Sequence, residues 1–140
     1  MDVATLEAEG WERLPTRSFS AAIGPTFARG ETGARTIALL TSAEIANDHA
    51  RSVHGGALMT FADIALGSAV ADVLGARTLT TVQMQYQFAG PVRPGSLLTC
   101  APEVVSRAKR LVFVRALFEA DGKVVGSADG IFRVFEALGG

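Results

Sequence analysis

Residues 53–74 constrain this chain more than any other stretch. Val53-His54-Gly55-Gly56 opens a segment that stays apolar to Leu74, and between Gly55 and Ala71 only Asp63 carries a formal charge. The segment reads as one helix over 57–74, with Gly75 behind it as the residue that ends it. A helix apolar on every side is normally buried on every side. A carboxylate within it is costly unless a partner or a function requires it. The rest of the chain is therefore expected to supply a layer around this helix. No uninterrupted apolar run reaches the roughly 18–20 residues that span a bilayer. Asp63, Asp72 and the small residues of the segment argue for a protein interior.

The flanking sequence supplies strands. Residues 2–14 suit a short amphipathic helix capped by Asp2, with Trp11 packing it down, and Phe19, Ala22 and Ile23 have the spacing of a second short helix ended by Gly24-Pro25. Residues 26–30 and 34–40 read as a hairpin turning at Glu31-Thr32-Gly33. Residues 41–53 show neither period and form a polar loop that carries both histidines, His49 and His54. After the helix, residues 78–88 alternate, with Val82, Met84, Tyr86 and Phe88 on one face and Thr81, Gln83, Gln85 and Gln87 on the other. Strands over 96–106 (with Pro102 at a bulge or edge), 111–119 and 124–135 follow, linked by the basic turn Arg107-Ala108-Lys109-Arg110 and by an Asp121-Gly122 hairpin. On the last strand Val124, Gly126, Ala128, Gly130, Phe132 and Val134 share a face whose small residues let a helix come close. These elements imply an α+β domain, one long helix against four final strands in an antiparallel meander.

Composition narrows the function. The 140 residues suit one domain, 1–140, in which 1–17 is an N-terminal extension. With 49% apolar and 19% charged residues and a net charge of −1, the chain is globular and has no basic excess for nucleic acid. The start of the chain lacks a secretory pattern, and the single cysteine, Cys100, fits a reducing compartment; a cytoplasmic location and no membrane partner are expected. Two histidines and one distant cysteine do not make a metal set, so neither a metal nor a cofactor is expected.

Gly56, Thr60, Asp63, Gly67 and Val70 fall on one stripe of the helix. Glycines 55 and 56 let a carbonyl approach the backbone, where amides and the helix dipole favour developing negative charge. A carboxylate nearby can attack that carbonyl or take a proton from water. The plainer reading is a structural acceptor at Asp63, a turn at Gly55-Gly56, and a His54 that only orients the loop.

His54-Gly55-Gly56 followed by Asp63, together with Gly24-Pro25, Phe88 with Pro91 and Pro94-Gly95, and Arg110-Leu111-Val112-Phe113-Val114, resembles the hotdog-fold acyl-CoA thioesterases, in particular the phenylacetate-pathway branch. The resemblance runs from about Phe19 to Phe135. It implies a curved antiparallel sheet wrapped around the central helix. It also implies a homodimer joined through the 78–88 strand, with tetramers built as dimers of dimers. The substrate it implies is an acyl-CoA thioester. Gly56 of one chain would polarise the carbonyl, and Asp63 of the other would act as nucleophile or base. Thr81 would lie near the attacking water, His54 is a further catalytic candidate, and Gly55 is a candidate for binding the coenzyme A thioester. The family's usual asparagine falls at Asp48, next to Asn47, so either residue takes that role. Arg107, Lys109 and Arg110, and also Arg51 and Arg93, are candidates for the phosphates of coenzyme A. Met59, Phe61 and Met84 are candidates for the acyl tunnel. A hydratase or dehydratase on the same fold, using His54 with Asp63, and a non-catalytic acyl-CoA binder are the competing functions.

Overall fold

The computed structural model describes residues 1–75 and 78–135. Helix α1 (Val3–Ala8) leads to strands β1 (Glu12–Leu14), β2 (Thr26–Arg29) and β3 (Thr36–Leu40). The long helix α2 (Gly55–Leu74) follows, then β4 (Thr78–Phe88), β5 (Leu97–Cys100), β6 (Glu103–Ala108), β7 (Leu111–Ala120) and β8 (Lys123–Phe135). All strand pairs are antiparallel, in the order β1-β2-β3-β5-β7-β8-β4, with β6 also pairing β7. The sheet curves around α2, the arrangement that the sequence resemblance implies. By length and composition alone α2 could cross a bilayer, with a mean hydropathy of 1.6. Here it is the core helix: Phe61, Ala62, Ala65, Leu66 and Val70 are all buried.

Several expectations change at the level of single residues. Asp2 does cap α1, accepting from the Thr5 amide at 2.8 Å, but the helix stops at Ala8. Gly10, at φ 93°, turns the chain so that Glu12–Leu14 becomes a strand paired with β2. Part of the segment taken as an extension is thus the first strand of the sheet, and Trp11 packs with Leu6, Phe27 and Ala38 in a small second core. Ser18–Ile23 forms a 3₁₀ helix, whose three-residue repeat cannot gather Phe19, Ala22 and Ile23 on one face. Ile23 is buried and Phe19 is left exposed.

The 96–106 strand divides at Ala101-Pro102 into β5 and β6. The simple meander is also corrected. Strands β6, β7 and β8 are joined by hairpins, whereas β4 pairs with β8 and β5 inserts between β3 and β7. A register shift between Phe118 and Glu119 turns Val124 out and Val125 in. The small residues of β8 have two different uses. A Cβ at Gly130 would lie 3.3 Å from the Leu66 side chain, so this is where α2 meets the sheet. A Cβ at Gly126 would lie 2.1 Å from the Tyr86 hydroxyl, so that glycine makes room for a side chain and not for the helix.

Candidate active site

His54 is the N-cap of α2, in extended conformation, and its Nδ1 accepts from the Gly56 amide at 2.8 Å. The loop in front of it closes on itself. Ala46 bridges Val53, the Asn47 amide donates to the Ser52 carbonyl at 2.9 Å, and Asn47 Nδ2 donates to Ser52 Oγ at 2.6 Å. The base of the loop is tied by the His54 amide to Ile45 O and by the Val53 amide to Val92 O, both at 2.8 Å. The two residues between which sequence leaves the asparagine role open are thereby separated: Asn47 turns inward, with a buried Oδ1 that has no hydrogen-bond partner among the described residues, whereas Asp48 is exposed. His49 Nδ1 accepts from the Arg51 amide at 3.2 Å and is part of the exposed loop surface.

Gly55 lies under the Phe88 ring, 3.2 Å from where its Cβ would be. Phe88 packs at a tilt against Tyr86 (centroids 4.7 Å), Tyr86 likewise against Phe118 (5.3 Å), and Phe118 meets Phe61 edge-on (5.9 Å). This aromatic row leads from the first turn of α2 into the core. Its hydroxyl member is the odd one: Tyr86 is 8% exposed, its oxygen has no partner among the described residues, and burial pushes its pKa up to about 12. Nearby, burial also pushes the Cys100 thiol up, which keeps it protonated and unreactive. Of the three tunnel candidates, Phe61 is core, Met84 packs against the core, and Met59 is 40% exposed.

Along the stripe, Thr60 Oγ1 donates back to Gly56 O at 2.8 Å, and two turns in, Asp63 Oδ1 accepts from Thr81 Oγ1 at 2.5 Å. Thr81 reaches it because β4 has a bulge: its register against β8 slips between Thr81 and Gln83. The extra residue, Val82, is 56% exposed. Before the bulge the inward residues are Leu79 and Thr81; after it they are Met84, Tyr86 and Phe88. Strict alternation puts Thr81 on the outer face, and the bulge overturns that assignment. The stripe is not uniformly buried either. Gly67 and Val70 lie in the core, Thr60 and Asp63 are half-buried, and Gly56 is exposed, so the first half of α2 has one open flank next to β4.

The structure does not gather all candidates in one chain. Gly56 and Asp63 are two turns apart, about 10 Å along the helix, too far to share one carbonyl. Arg107, Lys109 and Arg110 lie at the β6–β7 turn, where Leu111 pairs Arg133 and Arg133 pairs Thr80. That is the end of β4 away from Phe88, about 25 Å from Gly55 by strand rise. At the glycine end the nearby cations are Arg51, in the loop, and Arg93, which is paired with Asp121 at 3.3 Å. A recess of about 710 Å³ on the outer sheet face, around Leu117, and a cavity of about 240 Å³ beside Asp72 contain neither Gly56 nor Asp63. Asp72 in that cavity is structural: it binds the Arg35 guanidinium and the Gly33 amide, which fastens the β2–β3 turn to α2. No group of three or more metal-ligating side chains occurs among the described residues.

Sequence reasoning did not single out Phe88 as the ring over Gly55, Ser52 as the partner of Asn47, or the Val82 bulge. The small Gly126 beneath Tyr86 was a signal for the aromatic row, but a bulge of one residue within a strand of uniform β-propensity has no local signature.

Comparison with known proteins places this geometry in a family. Residues 51–127, more than half of the chain, match the model of the Thioesterase superfamily. A Pseudomonas aeruginosa protein named "Putative esterase PA0474" is 30% identical over 113 residues, covering 80% of this chain and 84% of that protein. Among solved structures, the PaaI protein from the phenylacetic acid degradation operon of E. coli aligns with a TM-score of 0.69 at 19% identity, over 97% of this chain and 87% of that one. The smu.793 protein of Streptococcus mutans, solved with acetyl CoA, aligns with a TM-score of 0.73 at 16% identity, over 86% and 93%. The chain belongs to the thioesterase superfamily and has its hotdog fold.

Proposed function

We propose that the protein hydrolyses acyl-CoA thioesters at sites shared between two copies of the chain. The observation that carries this reading is the separation of Gly56 from Asp63 along an open flank that borders an end strand. Among the described residues β4 pairs only with β8, which leaves eleven residues of strand with an unpaired edge. Antiparallel pairing of two such edges about a two-fold axis near the middle of β4 sets Thr81 of one copy beside the Phe88 end of the other. Asp63 of one chain then faces Gly56 of its partner, and the basic turn of the first chain approaches the same place. The exposed apolar side chains of Val82, Phe88 and Met59 are covered by the same pairing.

In the shared site the Gly56 amide receives the thioester oxygen as negative charge develops there. Asp63, held by Thr81, takes a proton from water that attacks the carbonyl, or attacks it directly to form a mixed anhydride that water then hydrolyses, regenerating the carboxylate. The C–S bond breaks, the thiolate leaves and is protonated to free CoA, and the acyl group departs as a carboxylate. In this reading Arg107 and Lys109 of the neighbouring turn are assigned to the phosphates of CoA. The acetyl CoA held by the Streptococcus mutans relative supports a CoA thioester as ligand. The test is thiol release from a panel of short, long and aromatic acyl-CoAs. Replacing Asp63 by Ala is expected to lower kcat/KM by about 10²–10⁴, the range of a lost general base. Full activity in that variant on the best substrate contradicts the mechanism.

A further inference from the structure

We infer that the His54 imidazole is a displaceable occupant of the thioester-oxygen position, so that it sets how strongly the enzyme reads the carbonyl of its ligand. The inference rests on the thioester reading and deepens it. Two independent features of the geometry carry it. The donor is taken: Nδ1 of His54 accepts from the Gly56 amide at 2.8 Å. The space is taken as well: a Cβ built on Gly56 would lie 3.0 Å from His54 Nδ1 and 3.2 Å from Cε1, so the ring covers the side of the glycine that the missing side chain leaves open. A carbonyl cannot bind this amide while the ring remains.

The ring is free to leave. His54 is exposed, and its backbone is anchored separately, by its own amide to Ile45 and by its carbonyl, which accepts from Ala57 and Leu58. Rotation about the side-chain torsions frees the amide and opens the glycine face without moving α2. A neutral imidazole suits this role because its hydrogen bond to an amide is worth little more than the one that replaces it. An aspartate, a common N-cap, would hold the amide with a charge-assisted bond and put negative charge where the oxyanion must form. The exchange also leaves a ring with one donor and one acceptor nitrogen beside the bound carbonyl. His54 is thus a positioning residue acting through Gly56.

The test compares two non-hydrolysable ligands on the full-length protein: carbadethia acetyl-CoA, which keeps the carbonyl, and S-ethyl-CoA, which lacks it. The ratio of their dissociation constants reports the carbonyl bond, and effects of a variant on folding or on the CoA moiety cancel in it. In His54→Ala the amide is unoccupied, and preference for the carbonyl ligand is expected to rise about threefold to tenfold, the worth of one neutral hydrogen bond. In His54→Asp the preference is expected to vanish. The same ratio in wild type, His54→Ala and His54→Asp overturns the inference, whatever happens to thermal stability. Wild-type protein that binds neither ligand overturns the CoA-thioester reading, and this inference with it. Wild-type protein that binds both ligands, with a flat ratio across the variants, overturns the role of His54 alone.

Discussion

Thr81 Oγ1 donates to Asp63 Oδ1 at 2.5 Å, joining the strand at the sheet edge to the only carboxylate of the open helix flank. The bond fixes one oxygen of the Asp63 carboxylate. Thr81→Val keeps the shape and removes the donor. It is expected to lower kcat/KM by about tenfold to a hundredfold, the value of a hydrogen bond to a charged group expressed in the transition state. Thr81→Ser should retain most of the activity. Steady-state kinetics of the two variants decide it, and an unchanged Thr81→Val enzyme excludes the role.

Tyr86 and Gly126 form the second testable pair. The buried hydroxyl has no partner among the described residues, so Tyr86→Phe is expected to leave stability unchanged or raise it by about 1 kcal/mol. Gly126→Ala places a methyl group 2.1 Å from that hydroxyl and is expected to destabilise the fold by about 1–3 kcal/mol. Urea unfolding measures both.

The same phenol makes stability fall at high pH. It is the one tyrosine of the chain, and burial raises its pKa to about 12 in the folded state, against about 10 in an unfolded chain. The unfolded state therefore releases this proton first. The contribution of Tyr86 is complete below about pH 10 and is lost as pH rises toward 12. Tyrosinate absorbance should develop late in the native protein, and Tyr86→Phe should remove this part of the alkaline loss.

Asp72 acts in the opposite direction. The Arg35 guanidinium, with help from the Gly33 amide, holds its carboxyl below the ordinary value of 3.8. Its contribution is present above about pH 4 and declines as pH falls below that toward the folded value. Asp72→Asn is expected to cost about 1–3 kcal/mol at neutral pH, as a charged hydrogen-bonded partner is lost, and to flatten the acid limb of the stability curve. Thermal unfolding between about pH 3 and 7 tests it.

What was legible in the sequence follows from periodicity. The all-round apolar helix, its glycine start and the αL residue Gly75 at its end could be read because each has a local cause. So could β4, whose bounds match its alternation, and the Asp121-Gly122 turn, where both residues have positive φ. Pairing order was not legible. Nothing in residues 78–88 states that their neighbour is β8 rather than β5, because the choice depends on closing the sheet around α2. The bulge at Val82 was also hidden, and with it the inward aim of Thr81. At the site, Gly56 and Asp63 were visible as one stripe, but the imidazole seated on Gly56 is a tertiary detail with no pattern in the chain.

The central claim is that one chain's Gly56 and its partner's Asp63 act on the same thioester. Co-expression of an Asp63→Ala chain with a Gly56→Pro chain under different tags allows the heterodimer to be isolated. Proline removes the amide proton at a first-turn position where the helix tolerates it. Each parent homodimer lacks one half of both sites. In the heterodimer one shared site is complete and the other has lost both groups, so thiol release is expected at about half the wild-type rate per dimer. A heterodimer no more active than its parents contradicts the shared site.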